Sequence, residues 1–366
     1  MSSVSSLTKP TLHIIGLHHT IISNEYSHCA FSGKILRFSK MMQLQNYHVI
    51  EYSNEGSESS ANEHVVMFSH SLFREYYGKK DKKEFFQNYI QYGSPQHIEF
   101  ENKLIIEMKK RVKFGDIICH PFGISHQRIV TEFPNNFHIE TGIGYGVLGM
   151  MDNSFKIFES YAWLHYYLGE KQAKNGNNYQ WVIPNYYDID EWTPRHQVGS
   201  YIAFLGRICS DKGLNTIKAI ADNSNYKIKV CGQGDITPWL HPNIEYIEPI
   251  SGKERDSYLG NALCVLMPTC YIEPFGGSGV EALLCGTPLI GVDYGAFTET
   301  IIDGENGFRC HTLKDWLNAI ENCSKLDRTK IAEQARAKYS LEACSVKYDK
   351  VFTDVIGLYG KGWYSL

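Results

Sequence analysis

Short apolar runs alternate with longer amphipathic segments along almost the whole chain, and this alternation constrains the fold more than any other feature. The apolar runs lie at 11–18, 48–53, 64–69, 116–120, 201–208, 226–232, 244–249, 263–268 and 287–293. The segments between them, such as 30–46 and 96–112, have the apolar spacing of helices. Apolar strands separated by helices predict parallel sheets that are covered on both faces.

The length of 366 residues exceeds one typical core, so we expect two doubly wound, Rossmann-like α/β domains. The polar segment 169–180 is predicted to be a connecting loop. We therefore expect an N-terminal domain over 1–185 and a C-terminal domain over 186–345. Ligands of such sheets bind at the carboxyl ends of the strands, which favours a binding cleft between the two domains.

Composition argues against several classes of protein. The net charge of −4 gives no electrostatic reason to expect a nucleic-acid partner. The ten cysteines form no C-x-x-C pair, and Cys119, Cys231 and Cys264 lie in apolar runs, so we expect no disulfide framework or zinc site. No apolar run reaches 18 residues, and the first residues, MSSVSSLTKP, have no apolar segment. We expect a reduced, cytoplasmic protein without a transmembrane segment, and a peripheral membrane contact stays open.

The stretch YIEPFGGSGVEALLCGTPLIG, residues 271–291, is predicted to run from a loop into a helix. Gly276, Gly277 and Ser278 would then lie at the helix N-terminus, where free N–H groups and the helix dipole attract anions. The simpler interpretation is a glycine-rich turn with Ser278 as the helix N-cap.

Two glutamates flank this glycine-rich loop. A carboxylate can accept hydrogen bonds from two vicinal hydroxyls, so Glu281, one turn into the helix, is placed to bind a ribose whose phosphates lie at the helix start. Glu273 precedes the loop and would lie near whatever the phosphates carry. This pattern describes a nucleotide-sugar site, in which Phe275 and the loop glycines would also bind the donor. The alternative for Glu281 is a carboxylate that complements the helix dipole.

A second segment, FLGRICSDKGL at 204–214, ends a strand and opens the next helix. It offers Arg207 and Lys212, two cations that would neutralise the leaving diphosphate as a glycosidic bond breaks. In VCGQGD, Gly232 and Gly234 could let a nucleobase lie against the backbone. Each feature also has a simpler interpretation, as a solvated surface charge or a plain turn.

The combination of GRICSDKGL, EPFGGSGVE and GTPLIGVDYGAFTETIIDGENGF resembles the retaining family 4 glycosyltransferases of GT-B fold. In the N-terminal half, LHHTIISNEYSHCAFSGKILRFSKMM, FPNNFHIETGIGY and FKIFESYAWLH resemble a subgroup of bacterial and viral members. The E-x7-E spacing of that family matches at Glu273 and Glu281. The resemblance implies that Arg207 and Lys212 hold the donor diphosphate. It also implies that Glu281 holds the ribose, that Glu273 lies near the donor sugar, and that a C-terminal helix over 346–366 crosses back to the N-terminal domain.

The N-terminal half matches the family more loosely, and GLHHT at 16–20 stands where many relatives have a Gly-Gly loop. His120 matches a cleft histidine of many relatives, so we expect it to contact the transferred sugar or to assist the acceptor. His138 and Glu140 alternate in FHIET and face one side of a strand. The candidate acceptor-side residues are His19, His138, Glu140 and Tyr145. The simpler interpretation of each is a structural side chain.

We therefore expect an enzyme that moves a sugar from a UDP- or GDP-sugar to a hydroxyl of a glycan or glycoconjugate, with no cofactor and no metal. The resemblance implies retention of configuration by front-face attack, with the leaving diphosphate helping to take the acceptor proton. No D-x-D sequence follows a predicted strand to hold a metal ion. The alternatives are a nucleotide-sugar epimerase, a transferase that glycosylates DNA bases, and a silent nucleotide-sugar binding module.

Overall fold

A computed structural model describes the chain over residues 9–24, 30–78, 92–144 and 151–358. The chain divides into two compact units. The first unit comprises residues 1–158, 176–183 and 344–366, and the second unit comprises residues 159–175 and 184–343.

The first unit is built on a seven-stranded sheet. Its strands are β1 (Leu12–Ile15), β2 (Val49–Ser53), β3 (Glu63–Val66), β4 (Ile117–Cys119), β5 (Phe137–Ile143), β6 (Phe155–Phe158) and β7 (Gln180–Val182). They lie in the order β3-β2-β1-β4-β5-β6-β7, and all neighbours are parallel. The helices of this unit include α1 (Ala30–Gln43), α2 (His70–Tyr77), α3 (Pro95–Lys109) and α4 (Gln127–Glu132). The interior strand β1 is fully buried, as its continuous apolar run requires.

The second unit is built on a six-stranded parallel sheet. Its strands are β8 (Ile202–Leu205), β9 (Ile228–Cys231), β10 (Ile244–Ile247), β11 (Cys264–Met267), β12 (Leu289–Val292) and β13 (Gly307–Cys310). They lie in the order β10-β9-β8-β11-β12-β13. Its helices include α5 (Tyr161–Glu170), α6 (Leu214–Asp222), α7 (Gly252–Gly260), α8 (Gly277–Leu284), α9 (Phe297–Thr300), α10 (Leu313–Cys323) and α11 (Arg328–Tyr339). Helices α6 and α10 contact each other, whereas α7 and α11 both contact α8.

The last described helix, α12 (Leu341–Leu358), begins in the second unit and continues in the first from Cys344 onwards. There its aromatic side chains pack edge-on against residues of and after α1: the ring centroids of Tyr348 and Phe38 are 5.1 Å apart, and those of Phe352 and Tyr47 are 5.8 Å apart. The Tyr47 hydroxyl also donates to Asp349 Oδ1 at 2.8 Å. The final residues, 359–366, lie outside the described ranges.

This architecture confirms the predicted α/β class with two parallel sheets, and every predicted apolar run overlaps a strand. One boundary differs from the expectation. Residues 159–175 group with the second unit, because the Ser160 hydroxyl donates to Pro274 O at 2.6 Å and the Glu299 carboxylate accepts from the first amides of α5. Over the described ranges, no helix has the length and apolar character needed to cross a membrane.

Candidate functional site

Two loops at the carboxyl edge of the second sheet bring a lysine and a glutamate together. The loop after β8 ends in a 3₁₀ turn at Ser210–Lys212, and the loop after β11 is tied to it by a hydrogen bond from Cys270 N to Asp211 O of 2.8 Å. As a result, Lys212 Nζ lies 3.2 Å from Glu273 Oε2. The predicted pairing of these two sequence segments at one sheet edge is therefore present in the structure.

Tyr271 also contacts both members of this pair, although no sequence pattern indicated a role for it. Its hydroxyl donates to Glu273 Oε2 at 3.0 Å, and Lys212 Nζ lies 4.9 Å from the centroid of its ring. The Glu273 side chain is fully buried, whereas 12% of the Lys212 side chain is exposed. The lysine is thus the member of the pair that solvent, or a ligand, can reach.

Burial moves the pKa values of the pair towards each other. It raises the pKa of Glu273 to about 8, because the buried carboxylate loses its hydration. Burial, together with the charge of Arg207, lowers the pKa of Lys212 to about 8. A dianion bound beside Lys212 and Arg207 would hold the lysine in its charged form. Arg207 itself is exposed near the start of the same loop.

Helix α8 starts at Gly277 without a side-chain cap, which corrects the N-cap interpretation of Ser278. The N-cap is Gly276, whose φ of 81° lies in the left-handed region that glycine adopts without strain. Ser278 lies inside the first turn, and its hydroxyl donates to Met267 Sδ at 3.4 Å. The amides of the first turn are therefore not covered by a capping side chain, as an anion site requires.

The buried side chain of Phe275 anchors this loop to the core of the second unit. Its side chain is 3% exposed and packs edge-on against Tyr339, with ring centroids 5.9 Å apart. The side chain belongs to the core of the second unit, so a contact with a donor from this position would come from the backbone.

Glu281 is not an isolated carboxylate, because Arg255 of α7 binds it. Arg255 Nε donates to Glu281 Oε2 at 2.7 Å, and Nη2 of the same guanidinium contacts the same oxygen. Sequence reasoning missed Arg255. Its only sequence signal is a basic residue in a short charged helix, and nothing in that pattern specifies a partner on another helix.

Gly232 and Gly234 bring the end of β9 against the loop after β8. A Cβ at Gly232 would lie 1.8 Å from Gly206 O, and Ile208 N donates to Gln233 O at 2.8 Å. The close approach that requires these glycines is therefore to the protein's own backbone. It fixes the loop that carries Arg207, and contact with a nucleobase at this turn stays a prediction.

Two of the first-unit candidates, His120 and His138, lie in a network of buried histidines. His120 is 1% exposed, and its Nε2 lies 2.9 Å from Nδ1 of His138. The other ring nitrogen of His138, Nε2, donates to Phe133 O at 2.8 Å. Burial lowers the pKa of both histidines, so they are neutral at pH 7. Both ring nitrogens of His138 therefore have protein partners, and its role on the acceptor side stays a prediction.

Glu140 and His19 are also buried. Glu140 accepts from Ser154 Oγ at 2.7 Å and lies 3.2 Å from Lys156 Nζ, and burial raises the pKa of its carboxyl group. The His19 ring lies between those of His18 and Phe122, with centroid distances of 5.0 and 5.9 Å. Tyr145 lies outside the described residues. Among the residues that the structure describes, no group of three or more His, Cys, Asp or Glu is placed to hold a metal ion.

A family model matches the segment of the chain that carries the two loops. The family model described as "Glycosyl transferases group 1" matches residues 190–338, the segment that carries both loops. Over this segment, the chain is similar to the glycosyl transferases group 1 family.

Curated relatives match the chain in part. A D-inositol 3-phosphate glycosyltransferase from Stackebrandtia nassauensis is 29% identical over 147 residues, which are 35% of this chain and 31% of the relative. An uncharacterized 41.2 kDa protein in the cps region of Klebsiella pneumoniae is 30% identical over 150 residues, 35% of this chain and 41% of that protein. The chain therefore matches less than half of the length of each.

Solved structures extend the likeness in fold to both units of the chain. A sucrose-phosphate synthase from Thermosynechococcus elongatus has a TM-score of 0.67 at 14% identity, covering 95% of this chain and all of that one. Anabaena HepE in complex with UDP and glucose has a TM-score of 0.64 at 12% identity, covering 94% and 100%. The fold is GT-B, as predicted.

Proposed function

We propose that the protein is a retaining glycosyltransferase that moves a sugar from a UDP- or GDP-sugar to a hydroxyl of a glycan or glycoconjugate. One observation carries the proposal: the uncapped start of α8 lies in the same loop as Glu273, and Glu273 lies 3.2 Å from Lys212. A diphosphate between the helix start and the cations would meet backbone amides on one side and Lys212 on the other. The group 1 family match and the UDP complex of a structural neighbour support this assignment.

The proposed reaction uses the leaving group as the base. As the bond from the anomeric carbon to the diphosphate oxygen breaks, Arg207, Lys212 and the helix start stabilise the charge that develops on that oxygen. The acceptor hydroxyl attacks from the same face, and its proton passes to the leaving diphosphate. Glu273 would lie near the transferred sugar and hold Lys212 in place beside it. Arg207 and Lys212 would supply the charge that a metal supplies elsewhere.

The first unit would supply the acceptor contacts. His120 is the strongest candidate there, because its Nδ1 is buried and has no hydrogen-bond partner among the described residues. A hydroxyl of the sugar or acceptor could use this nitrogen once the side chain becomes accessible.

A thermal-shift panel tests the donor site first. UDP-, GDP- and ADP-sugars are added without metal and with EDTA, to the wild type and to Glu281→Ala. We expect one nucleotide series to raise the melting temperature, and this rise to be lost in Glu281→Ala because the ribose loses its acceptor. Glu254→Ala is a matched control, since it removes an exposed acid from α7.

Product analysis on any hit then tests the reaction. A product with the donor's anomeric configuration, formed in EDTA, agrees with the proposal. An inverted product, an epimerised donor or an absolute need for a metal ion would each contradict it.

A further inference from the structure

Arg255 and Glu281 form a nearly buried pair between α7 and α8. The side chains are 19% and 9% exposed, so neither is an ordinary surface charge. Both guanidinium N–H groups involved, Nε and Nη2, point at the same oxygen, Oε2. This arrangement differs from the bidentate form in which an arginine contacts both carboxylate oxygens.

Because Arg255 contacts only Oε2, the two oxygens of the Glu281 carboxylate differ in their hydrogen bonding. An ionised carboxylate has about four lone-pair positions, two on each oxygen. The two donors of Arg255 fill those of Oε2. Oε1 has no hydrogen-bond partner among the described residues, so both of its positions are open.

The pair lies at the edge of the sheet where the donor loops end. Glu281 is in the second turn of α8, after the uncapped start at Gly277. Burial raises the pKa of the Cys231 thiol to about 11, and the charge of Arg255 acts against this shift, which places the guanidinium near the end of β9. The open oxygen therefore belongs to the region where the nucleoside of the donor is expected.

We propose that Arg255 is a positioning residue of the donor site, which fixes Glu281 so that Oε1 accepts from both vicinal hydroxyls of a ribose. The inference rests on the proposed function and deepens it. The two open lone-pair positions of Oε1 match the two hydroxyl donors of a ribose. A 2′-deoxyribose has only one of these hydroxyls, so one position of a nearly buried acceptor would lack a hydrogen bond and binding would be weaker. The site thus selects ribonucleotide donors over 2′-deoxyribonucleotide donors, and Arg255 sets that selectivity without touching the donor.

Titration calorimetry with UDP, GDP and their 2′-deoxy counterparts tests this. The wild type should bind the ribonucleotide about 10- to 100-fold more tightly, the effect of one hydrogen bond to a charged group. In Arg255→Ala the carboxylate is free to rotate, and the ratio should fall below about 3-fold while the Kd for the ribonucleotide rises about 10-fold. With the sugar donor, KM should rise and kcat should change less than about 3-fold.

Two further variants separate positioning from loss of structure. Arg255→Lys keeps the charge without the planar fork, so its ratio should lie between those of the wild type and Arg255→Ala. Lys253→Ala removes an exposed cation from the same helix and should keep the wild-type ratio. An unchanged ratio in both Arg255 variants would overturn the inference alone. Failure of the wild type to bind either ribonucleotide would overturn the proposed function, and the inference with it.

Discussion

The two sheets share one architecture, but the polar residues on the loops and helices that connect their strands differ in chemistry. In the second unit these are acid–base pairs, Lys212 with Glu273 and Arg255 with Glu281, each with one member that solvent reaches. In the first unit the rings of His18 and His97 lie 5.3 Å apart and those of His120 and His126 lie 5.8 Å apart, all buried.

The difference shows that a parallel sheet determines where a site lies, whereas the residues of the connecting segments determine the charge of that site. Cations and amide groups suit a diphosphate, whereas buried imidazoles kept neutral do not. On the proposed function, the anionic part of the donor would therefore bind to the second unit. This contrast can be tested by changing one side chain of each kind.

Removing a cation from the second unit should have the largest effect. Arg207→Ala should lower the turnover number for sugar transfer about 100- to 1,000-fold, because a preorganised charge that stabilises the leaving diphosphate is lost. Donor KM should change much less. Steady-state kinetics with the donor identified in the thermal-shift panel measures both.

The control is Lys227→Ala, which removes an exposed cation of the same unit that lies directly before β9, at the amino end of the strand. It should leave turnover unchanged. A similar loss in both variants would mean that general positive charge, and not the position of Arg207, supports catalysis, and the comparison between the units would lose its basis.

Much of the second unit was predictable, because its strands are continuous apolar runs and its two functional segments each join a strand to a helix. The parallel order of the sheet then brings both segments to one edge, so the proximity of the loops that carry Lys212 and Glu273 follows from the fold class. The contact between Arg255 and Glu281 could not be predicted in this way. It depends on side-chain directions across α7 and α8, which the sequence pattern does not specify.

The first unit was less predictable at its site. A histidine after a strand indicates a residue at the sheet edge, but not whether the ring faces a ligand or another ring. His138 was expected to line an acceptor pocket, and in the structure both of its nitrogens are used by His120 and by the Phe133 carbonyl. That result depends on where α4 ends, and element boundaries are poorly specified by sequence.

The two units should respond to acid in opposite directions. Burial, helped by neighbouring histidines, lowers the pKa of His18 to about 2, and burial with His97 lowers that of His126 to about 3. The unfolded chain therefore binds protons first as pH falls through 6.5, and each histidine costs up to about 1.4 kcal/mol of unfolding free energy per pH unit. Burial raises the pKa of Glu273 to about 8, so the folded state binds this proton at a higher pH than the unfolded chain does. The folded state is therefore stabilised by Glu273 as the pH falls from about 8 to 4.5.

Denaturant unfolding at pH 7.5, 6.5 and 5.5 separates these contributions when variants are compared with the wild type. His126→Asn should lose less stability than the wild type between pH 6.5 and 5.5. Glu273→Gln should lack the gain on acidification. If both variants followed the wild-type pH dependence in parallel, the opposite signs assigned to the two units would be wrong.

The smallest expected effect concerns Ser160, which ties α5 to the donor loop. Its hydroxyl donates to Pro274 O and accepts from Trp163 N at 3.1 Å, so Ser160→Ala removes a helix cap and a loop contact together. We expect a loss of about 1 kcal/mol in the free energy of unfolding. Donor KM should rise about 3- to 5-fold, because Pro274 directly follows Glu273 and the loop becomes less ordered, the effect of a loss of about 0.7 to 1 kcal/mol in binding.

Ser69→Ala provides the matched change in the first unit. Ser69 caps α2 by accepting from Leu72 N at 3.3 Å, so its removal should cost a similar free energy of unfolding. Donor KM should stay at the wild-type value, because α2 belongs to the unit that does not hold the diphosphate. Equal rises in KM for the two variants would show that donor binding depends on the global stability of the protein. A rise confined to Ser160→Ala would show that donor binding depends on the loop that follows β11.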